Sequence, residues 1–275
     1  MILEIMNNRI TLLFIAAGIL IGINSGAHAQ DSLTVMSYNI MHGEQPYDGG
    51  EGNLDDIAAL IDEVNPDFVA LQEVDEMTGR IAALNNGQPF SFIDSLAKVT
   101  GMKGYFGQTI DFEGGAYGIG LLTRTALEFH KIALPNPGDG EPRAVLFVQA
   151  ETSDGQPFIF ASTHLDFQFA ENQKAQVEKV NEVLLTKDQP VIIAGDFNLT
   201  PDTDYYQILQ EKWIDAAIAF DENPEPTFPA NGPNRRIDYL FLSKQDQWEV
   251  INIHTVDVQF SDHIPLVAKV VLYSD

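Results

Sequence analysis

Hydrophobic runs of two different periods alternate along the chain and predict strands that alternate with helices. The run LTVMSYNI (residues 33–40) is typical of a strand, whereas NLDDIAALIDEV (residues 53–64) has an apolar stripe at helical spacing, with Asn53 as its N-cap. Pro66 ends that helix, because proline has no backbone N–H with which to continue it. FVALQEV (residues 68–74) then predicts a buried strand.

The rest of the chain continues this mixture without a long linker or a fixed-period repeat. Two more helices are predicted near residues 92–99 and 172–185. The strand-like runs are YGIGLLT, ALEFHKIAL, AVLFVQAE, FIFASTHL, VIIAGDFN, IDYLFLS, EVINIHTVDV and PLVAKVVL. So many strands, some joined by helices and some by short turns, predict one mixed α/β domain with more than one sheet over residues 30–275.

Residues 1–29 predict an export signal. An uncharged and mostly apolar run over residues 10–23 leads to SGAHA, a small-x-small pattern with cleavage expected before Gln30. The run is shorter than the about 20 apolar residues that a membrane-spanning helix needs. An uncleaved anchor or a strand of the fold is the alternative. We therefore expect an exported protein, periplasmic or extracellular, whose mature chain has no stable membrane span.

Charge and cysteine content narrow the range of partners and sites. Fifteen Lys and Arg against forty Asp and Glu give a formal net charge of -25, so the protein repels phosphate polymers and anionic bilayers at long range. This balance disfavours nucleic acid as a partner. The chain has no cysteine, which excludes a disulfide framework, thiolate metal sites and a thiol nucleophile.

Polar side chains stand where the predicted strands end. Asn39 ends the first strand, Glu73 the second, His164 ends FIFASTHL, and Asp196 with Asn198 ends VIIAGDFN. Because ligands of α/β sheets gather at the carboxyl ends of strands, we expect these side chains to share one edge. Buried carboxylates are costly unless they are paired or bind a metal, and oxygen ligands without thiols favour Mg²⁺, Mn²⁺ or Ca²⁺ over zinc. The alternative is that the acids are solvated strand ends.

A second carboxylate lies inside an apolar run near the C-terminus. Asp238 interrupts the run over residues 237–241, so its carboxylate needs a buried partner. His263, directly after Asp262, is the candidate, because a carboxylate fixes the tautomer of an imidazole that acts as a base. A hydrogen-bonded structural histidine is the alternative interpretation.

The motifs around these residues resemble a known family. They are MSYNI with Asn39, ALQEV with Glu73, STHLD with His164, GDFN with Asp196 and Asn198, RIDYLF with Asp238, and SDH with Asp262 and His263. In this order, over about residues 33–272, they resemble the endonuclease/exonuclease/phosphatase family, whose members have the deoxyribonuclease-I-like fold. The resemblance implies a four-layer α/β/β/α sandwich, with two mixed β-sheets face to face, helices outside, and the site at one edge.

The resemblance also implies a role for each metal and water residue. Asn39 and Glu73 match the family's metal pocket, with Asp262 nearby, and the expected cofactor is Mg²⁺, with Mn²⁺ or Ca²⁺ as alternatives. Asp196 matches the acid that orients or deprotonates the attacking water.

Four further residues match the phosphate side of the family's site. His164 and Asn198 match contacts to the phosphate or the transition state. Asp238 and His263 match a dyad in which His263 acts as base or binds the phosphate.

Three further residues are candidates for substrate binding. Arg143 in GEPRAVLF resembles a recurring arginine of bacterial members and either binds phosphate or forms a salt bridge. Asp166 and His42 are the other two. The chain departs from the family pattern at Ile119 and Gln173, where related bacterial members carry Asn and Arg, which leaves the substrate contacts at those positions open.

The expected function is an exported divalent-metal-dependent phosphoester hydrolase, a phosphodiesterase or phosphatase acting on a phosphorylated small molecule or headgroup. A secreted nuclease is the alternative. The scarcity of Lys and Arg counts against it, because DNA contact requires cations that neutralise successive phosphates, although acidic nucleases occur in the family. A non-catalytic binding module on the same scaffold is the third reading. The sequence leaves substrate identity and oligomeric state open.

Overall fold

The structure, a computed structural model, describes residues 32–47 and 49–273. The predicted export signal, residues 1–29, lies outside the described residues. Within the described part of the chain, no helix is long and apolar enough to cross a membrane.

The first sheet has six strands in the order β11-β12-β1-β2-β4-β3. Strands β1 and β2 are parallel and the other pairs are antiparallel, so the sheet is mixed. Its strands are β1 (Leu33–Asn39), β2 (Phe68–Glu76), β3 (Lys103–Phe112), β4 (Gly115–Thr123), β11 (Trp248–Thr255) and β12 (Leu266–Leu272). Three helices lie on its outer face, namely α1 (Leu54–Val64), α2 (Gly79–Ala83) and α3 (Phe92–Thr100).

The second sheet is also six-stranded, in the order β5-β6-β7-β8-β10-β9. Only β7 and β8 run parallel among its described pairs. Its strands are β5 (Phe129–Ala133), β6 (Ala144–Glu151), β7 (Pro157–His164), β8 (Val191–Asp196), β9 (Trp213–Asp215) and β10 (Asp238–Ser243). Helices α4 (Ala170–Leu185) and α5 (Asp204–Lys212) cover its outer face, while α6 (Ala216–Phe220) buries two alanines between the sheets.

The two sheets pack face to face around one apolar core. Val35, Phe68, Phe160, Ile192 and Leu240 are among the inward-facing side chains that fill it. Outside the sheets, the apolar stripes of α1 and α4 pack against opposite outer faces, as their spacing predicts. The arrangement confirms the expected four-layer α/β/β/α sandwich of two mixed sheets.

The inward-facing positions change from apolar to polar towards one edge of the sandwich. Side chains two residues apart on a strand share a face, so the series that begins with Val35 continues inward to Asn39. Between the sheets Gln72 Nε2 donates to Ser162 Oγ at 3.3 Å. The next inward positions on β7 and β8 are His164 and Asp196, which are paired in register. Strand alternation therefore brings these polar side chains to the same edge.

Asn53 has the predicted N-cap position but not the expected cap contact. Its side chain makes no capping hydrogen bond to α1. Instead its amide donates to the carbonyl oxygens of Ile40 at 3.1 Å, Glu44 at 3.2 Å and Phe260 at 2.7 Å. Asn53 therefore ties the loop after β1 to the segment that precedes β12.

Candidate active site

The ends of β1, β2, β7 and β8 and the start of β10 meet at a cleft of about 570 Å³. Seven of the predicted site residues line it, namely Glu73, Arg143, His164, Asp196, Asn198, Asp262 and His263. Asn39 and Asp238 lie directly behind this lining, in contact with it. The structure thus brings together residues as far apart in the chain as Asn39 and His263.

Asn39 connects the acidic side chains of the cleft. Its amide nitrogen donates to Glu73 Oε1 and to Asp196 Oδ2, both at 3.1 Å, and lies 3.4 Å from His263 Nε2. Its amide oxygen accepts the Met41 N–H at 3.1 Å. Asn39 is fully buried, and two carboxylates share its neutral amide as a donor.

A β-bulge directs Glu73 into the cleft. The register between β2 and β4 shifts between Leu71 and Val74, which leaves Gln72 and Glu73 opposite one residue of β4. Gln72 faces the inter-sheet core, so regular alternation would send Glu73 to the outer face. Glu73 instead takes a left-handed backbone conformation with φ 56, and its side chain lines the cleft.

His42 lies behind Glu73 and is not part of the cleft lining. Its Nδ1 is 3.6 Å from Glu73 Oε2, and its Nε2 is 3.3 Å from Glu44 Oε2. Burial alone would raise the pKa of Glu73, but the His42 contact, the Asn39 amide and the charge of His263 hold that pKa well below its usual range. Glu73 is therefore ionised at neutral pH.

Asp238 and His263 are in direct contact. His263 Nδ1 is 2.9 Å from Asp238 Oδ2, and His263 Nε2 is 3.6 Å from Asp196 Oδ2. The Phe228 ring packs on the imidazole with centroids 4.7 Å apart. Burial alone would lower the pKa of His263, but Asp238 and Asp196 outweigh it and raise that pKa to about 10. The imidazole is thus a cation held between two carboxylates.

Asp196 ends β8 at the floor of the cleft. A Cβ on Gly195 would lie 2.0 Å from the Thr163 carbonyl oxygen, so only glycine lets β8 approach β7 this closely just before the carboxylate. Asp196 Oδ1 accepts the Asn198 N–H at 2.9 Å. Burial raises the pKa of Asp196 to about 7, against the attraction of His263. A carboxylate with this proton affinity is suited to general-base work near neutral pH.

Arg143 sets the tautomer of His164. Arg143 Nη1 lies 2.9 Å from His164 Nδ1, and the same nitrogen is 3.0 Å from Glu141 Oε1. A guanidinium can only donate, so His164 Nδ1 is an acceptor and the ring proton sits on Nε2, 3.5 Å from Asp196 Oδ2. Burial and then the charge of Arg143 lower the pKa of His164 well below its usual range. His164 is therefore a neutral N–H donor.

Of the remaining predicted residues, Asn198 and Asp262 line the cleft and Asp166 does not. Asn198 Nδ2 donates to the Leu165 carbonyl at 3.0 Å, and Asp262, half-buried, accepts from Ser261 Oγ at 3.3 Å. Burial raises the pKa of Asp262. Asp166 is buried outside the cleft lining, where its carboxylate accepts bonds from the backbone N–H groups of residues 168 and 169 and from the Asn172 amide. Its described contacts therefore hold the loop after β7.

Several cleft residues were not anticipated as site residues. They are Tyr117, Glu141, Phe167, Phe228 and Arg235. Glu141 and Phe167 stand within two residues of predicted positions, which is the only signal in the sequence that points to them. Tyr117 has the strand position expected for it, on β4, but its side chain also lines the cleft.

Gln173, one of the two expected departures from the family pattern, also lines the cleft. It donates to the carbonyl oxygens of Asp166 at 2.9 Å and Asn198 at 3.1 Å. These bonds brace the two loops that follow β7 and β8.

The donor set of the cleft fits a hard divalent cation. Glu73, Asp196 and Asp262 present carboxylates to one space, and only the neutral Asn39 amide joins the first two. Asp196, Asp238 and His263 also offer ligand atoms within 4.8 Å of one another. Oxygen-rich sites without thiolates favour Mg²⁺, Mn²⁺ or Ca²⁺.

Raising the pH is expected to destabilise the metal-free protein through His263. The pKa of His263 is raised to about 10, so the dyad's stabilisation is complete below the ordinary histidine pKa of about 6.5 and is lost between there and pH about 10. The free energy of unfolding should fall across this window, by at most about 1.4 kcal/mol per pH unit. Urea unfolding at pH 6, 8 and 10 measures it.

Two variants separate this effect from other titrations. His263→Gln should flatten the fall, while His254→Gln, an exposed histidine on β11, should retain it. Parallel profiles for wild type and His263→Gln would contradict the raised pKa.

Comparison with known proteins agrees with this fold. A model of the endonuclease/exonuclease/phosphatase family matches residues 36–263. None of the curated proteins searched matches the chain.

Solved structures share the fold at low sequence identity. An endonuclease/exonuclease/phosphatase from Beutenbergia cavernae is 23% identical, with TM-score 0.69 and coverage of 88% of this chain and 72% of that one. The Bacteroides thetaiotaomicron mannosyl-6-phosphatase is 20% identical, with TM-score 0.68 and coverage of 87% and 100%. The human nocturnin catalytic domain with bound sulfate is 18% identical, with TM-score 0.68 and coverage of 89% and 98%. With this fold and the family match, the chain belongs to the endonuclease/exonuclease/phosphatase family, whose members are phosphoester hydrolases.

Proposed function

We propose that the protein is an exported phosphoester hydrolase that uses a divalent cation and a water molecule activated by Asp196. The observation that carries this proposal is the position of one buried carboxylate within hydrogen-bonding or ion-pair distance of Asn39, His164 and His263. These residues come from three separate strand ends or loops, and each side chain suits a different task at phosphorus.

The cation is assigned to the side of the cleft formed by Glu73, Asp262 and Asn39. His263 is not placed among the ligands, because Asp238 and Asp196 favour its protonated form, in which Nε2 carries a hydrogen and has no lone pair for a cation. Mg²⁺ is the first candidate, with Mn²⁺ or Ca²⁺ as alternatives. When bound, a divalent cation neutralises the nonbridging oxygens and stabilises charge on the leaving group.

The protein groups divide the remaining work. Asp196 accepts the proton of the attacking water, because His263 is already protonated and cannot accept one. His164 donates its Nε2–H to a nonbridging oxygen, and Asn198 donates its second amide hydrogen on the same side. The His263 cation, oriented by Asp238, stabilises the negative charge that develops on the phosphoryl group.

A small phosphorylated molecule is the substrate class that the cleft and the charge support. Among the described residues that line the cleft, Arg143 and Arg235 are the only Lys or Arg, too few to track a polymer of phosphates. The mannosyl-6-phosphatase of similar fold acts on a sugar phosphate, as its name states. We therefore place a sugar or polyol phosphate ahead of the nuclease alternative. Export is proposed on the pattern of residues 1–29, and N-terminal sequencing of the secreted protein tests it.

Hydrolysis of two chromogenic esters tests the proposed activity. We expect metal-dependent release of nitrophenol from p-nitrophenyl phosphate, bis-p-nitrophenyl phosphate or both with Mg²⁺ or Mn²⁺, and its loss with EDTA or in Asp196→Ala. Comparison of the two rates decides between a phosphatase and a phosphodiesterase. Absence of metal-dependent turnover of any phosphoester would favour a binding module, and nicking of plasmid DNA would favour a nuclease.

A further inference from the structure

Arg235 is the one guanidinium of the cleft that the proposed chemistry does not use. We propose that Arg235 binds a second anionic group of the substrate, so that the substrate is a phosphate ester whose leaving group carries another phosphate or a carboxylate. This inference rests on the proposed phosphoester hydrolysis and narrows its substrate class.

The guanidinium is held in a fixed stack beside the dyad. Its central carbon lies 4.6 Å from the Phe228 ring centroid, and Phe228 in turn packs on His263 at 4.7 Å. The backbones of Arg235 and Phe228 exchange hydrogen bonds of 2.9 and 3.0 Å. Because the backbone and the ring both restrain it, little side-chain entropy remains to be lost when Arg235 binds an anion.

The charge of Arg235 has no carboxylate partner among the described residues, although the chain has forty acids. Arg143, the other arginine of the cleft, is committed to His164 and Glu141. Arg235 is also exposed, so its donors are free to meet a ligand. An unpaired guanidinium on the wall of a cleft is suited to a phosphate or carboxylate.

The position of Arg235 places this second anion away from the reacting phosphorus. Asp196 contacts His263, His263 contacts Phe228, and Phe228 contacts Arg235. Two side chains therefore separate the guanidinium from the Asp196 carboxylate. Phe167 stands opposite Arg235 in the order of the strands. It follows β7, Arg235 precedes β10, and β8 lies between these two strands. Phe167 is 60% exposed although it lines the cleft. On this proposal the carbon skeleton of the leaving group lies on the part of the cleft wall that Phe167 and Arg235 both line.

Competition between matched ligands tests the assignment. Fructose 6-phosphate and fructose 1,6-bisphosphate differ by one phosphate, and glucose 1-phosphate and glucuronic acid 1-phosphate differ by a carboxylate in place of the C6 hydroxymethyl group. Each ligand is tested as a competitive inhibitor of the chromogenic reaction at fixed free Mg²⁺. For at least one pair, we expect the wild type to bind the member with the second anionic group about tenfold more tightly than the member without it. We call this difference in affinity within a pair the gap. The pair that shows the gap identifies the second anion as phosphate or carboxylate. Calorimetric titration of the Asp196→Asn variant, in which hydrolysis is slowed, gives dissociation constants for the same ligands.

Three variants make the result specific to Arg235. Arg235→Met keeps the stem against Phe228 and should abolish the gap, while Arg235→Lys should keep part of it. Lys174→Met removes the same charge from an exposed position on α4 outside the cleft and should leave the gap intact.

Three outcomes would overturn the proposal. The first is no difference in affinity within either ligand pair for the wild type, and the second is a difference that persists in Arg235→Met. The third is a loss of kcat in Arg235→Met for p-nitrophenyl phosphate, which has no second anionic group, because that loss would place Arg235 on the reacting phosphate. A wild type without metal-dependent turnover of any ester refutes the proposed function itself, a result distinct from these three.

Discussion

Replacement of Asp196 by asparagine is expected to lower kcat by about 10³-fold while KM changes little, as for the loss of a general base. Asparagine has nearly the same shape and retains an oxygen that can accept the Asn198 N–H, now 2.9 Å from Asp196 Oδ1. The amide cannot take a proton from water. Steady-state kinetics on the chromogenic ester at saturating Mg²⁺ measure the loss, and thermal unfolding checks that the variant is folded.

Asp204→Asn is the matched control, because Asp204 is an exposed carboxylate on the next helix, α5. It should retain wild-type kcat. If Asp196→Asn kept kcat within tenfold of wild type, the proton would have another acceptor, and His263 would be the group to replace next. The roles proposed for the two residues would then be exchanged.

The strand ends of the site could be predicted because burial leaves a simple pattern in the sequence. VIIAGD is buried along its whole length, so the carboxylate at its end is conspicuous, and MSYNI shows the same change from apolar to polar. Regular alternation and parallel pairing then bring Asn39 and Asp196 to one edge without further information. The pairing of Asp238 with His263 followed from the cost of an unpaired buried carboxylate.

Other parts of the site depend on backbone geometry that leaves no periodic signal. The bulge that directs Glu73 into the cleft adds one residue to β2 and is invisible in hydrophobic spacing. The same limit applies to His42 and Asp166. Both residues lie close in the sequence to motifs of the site, so a position near the cleft could be predicted. The local backbone decides the direction of each side chain, and it turns His42 towards Glu73 and Asp166 towards the loop after β7.

Short elements between the motifs were also beyond prediction. Strand β3 alternates weakly, and α5, β9 and α6 are 9, 3 and 5 residues long, too short for a period to stand out. The hairpin that carries Phe228 and Arg235 lies in this part of the chain. The series of contacts from Asp196 through His263 and Phe228 to Arg235 joins segments that are distant in the sequence. No local pattern in the sequence predicts such contacts.

Replacement of Glu73 by glutamine is expected to weaken Mg²⁺ binding by about 100-fold. Loss of a residue that only orients a metal ligand weakens binding by about 10- to 100-fold, and here the charged ligand itself is removed, so we expect the upper end of that range. Glutamine has nearly the same shape, so the contact with the Asn39 amide, 3.1 Å in the wild type, can persist while the charge is lost. Calorimetric titration with Mg²⁺ measures the affinity. A second readout needs no turnover, because ligand binding to the folded state raises the melting temperature of the wild type and should raise that of Glu73→Gln much less.

Glu63→Gln, an exposed position on α1, removes the same charge away from the cleft and should bind Mg²⁺ like the wild type. At high Mg²⁺ the kcat of Glu73→Gln should recover in large part, because Asp196 and His263 are unchanged. Asp196→Asn should not recover under the same conditions, so the two variants separate cation binding from proton transfer. Unaltered Mg²⁺ affinity in Glu73→Gln would move the cation to the Asp196, Asp238 and His263 side of the cleft, where three ligand atoms lie within 4.8 Å of one another. Asp196 could then no longer be assigned as a free base.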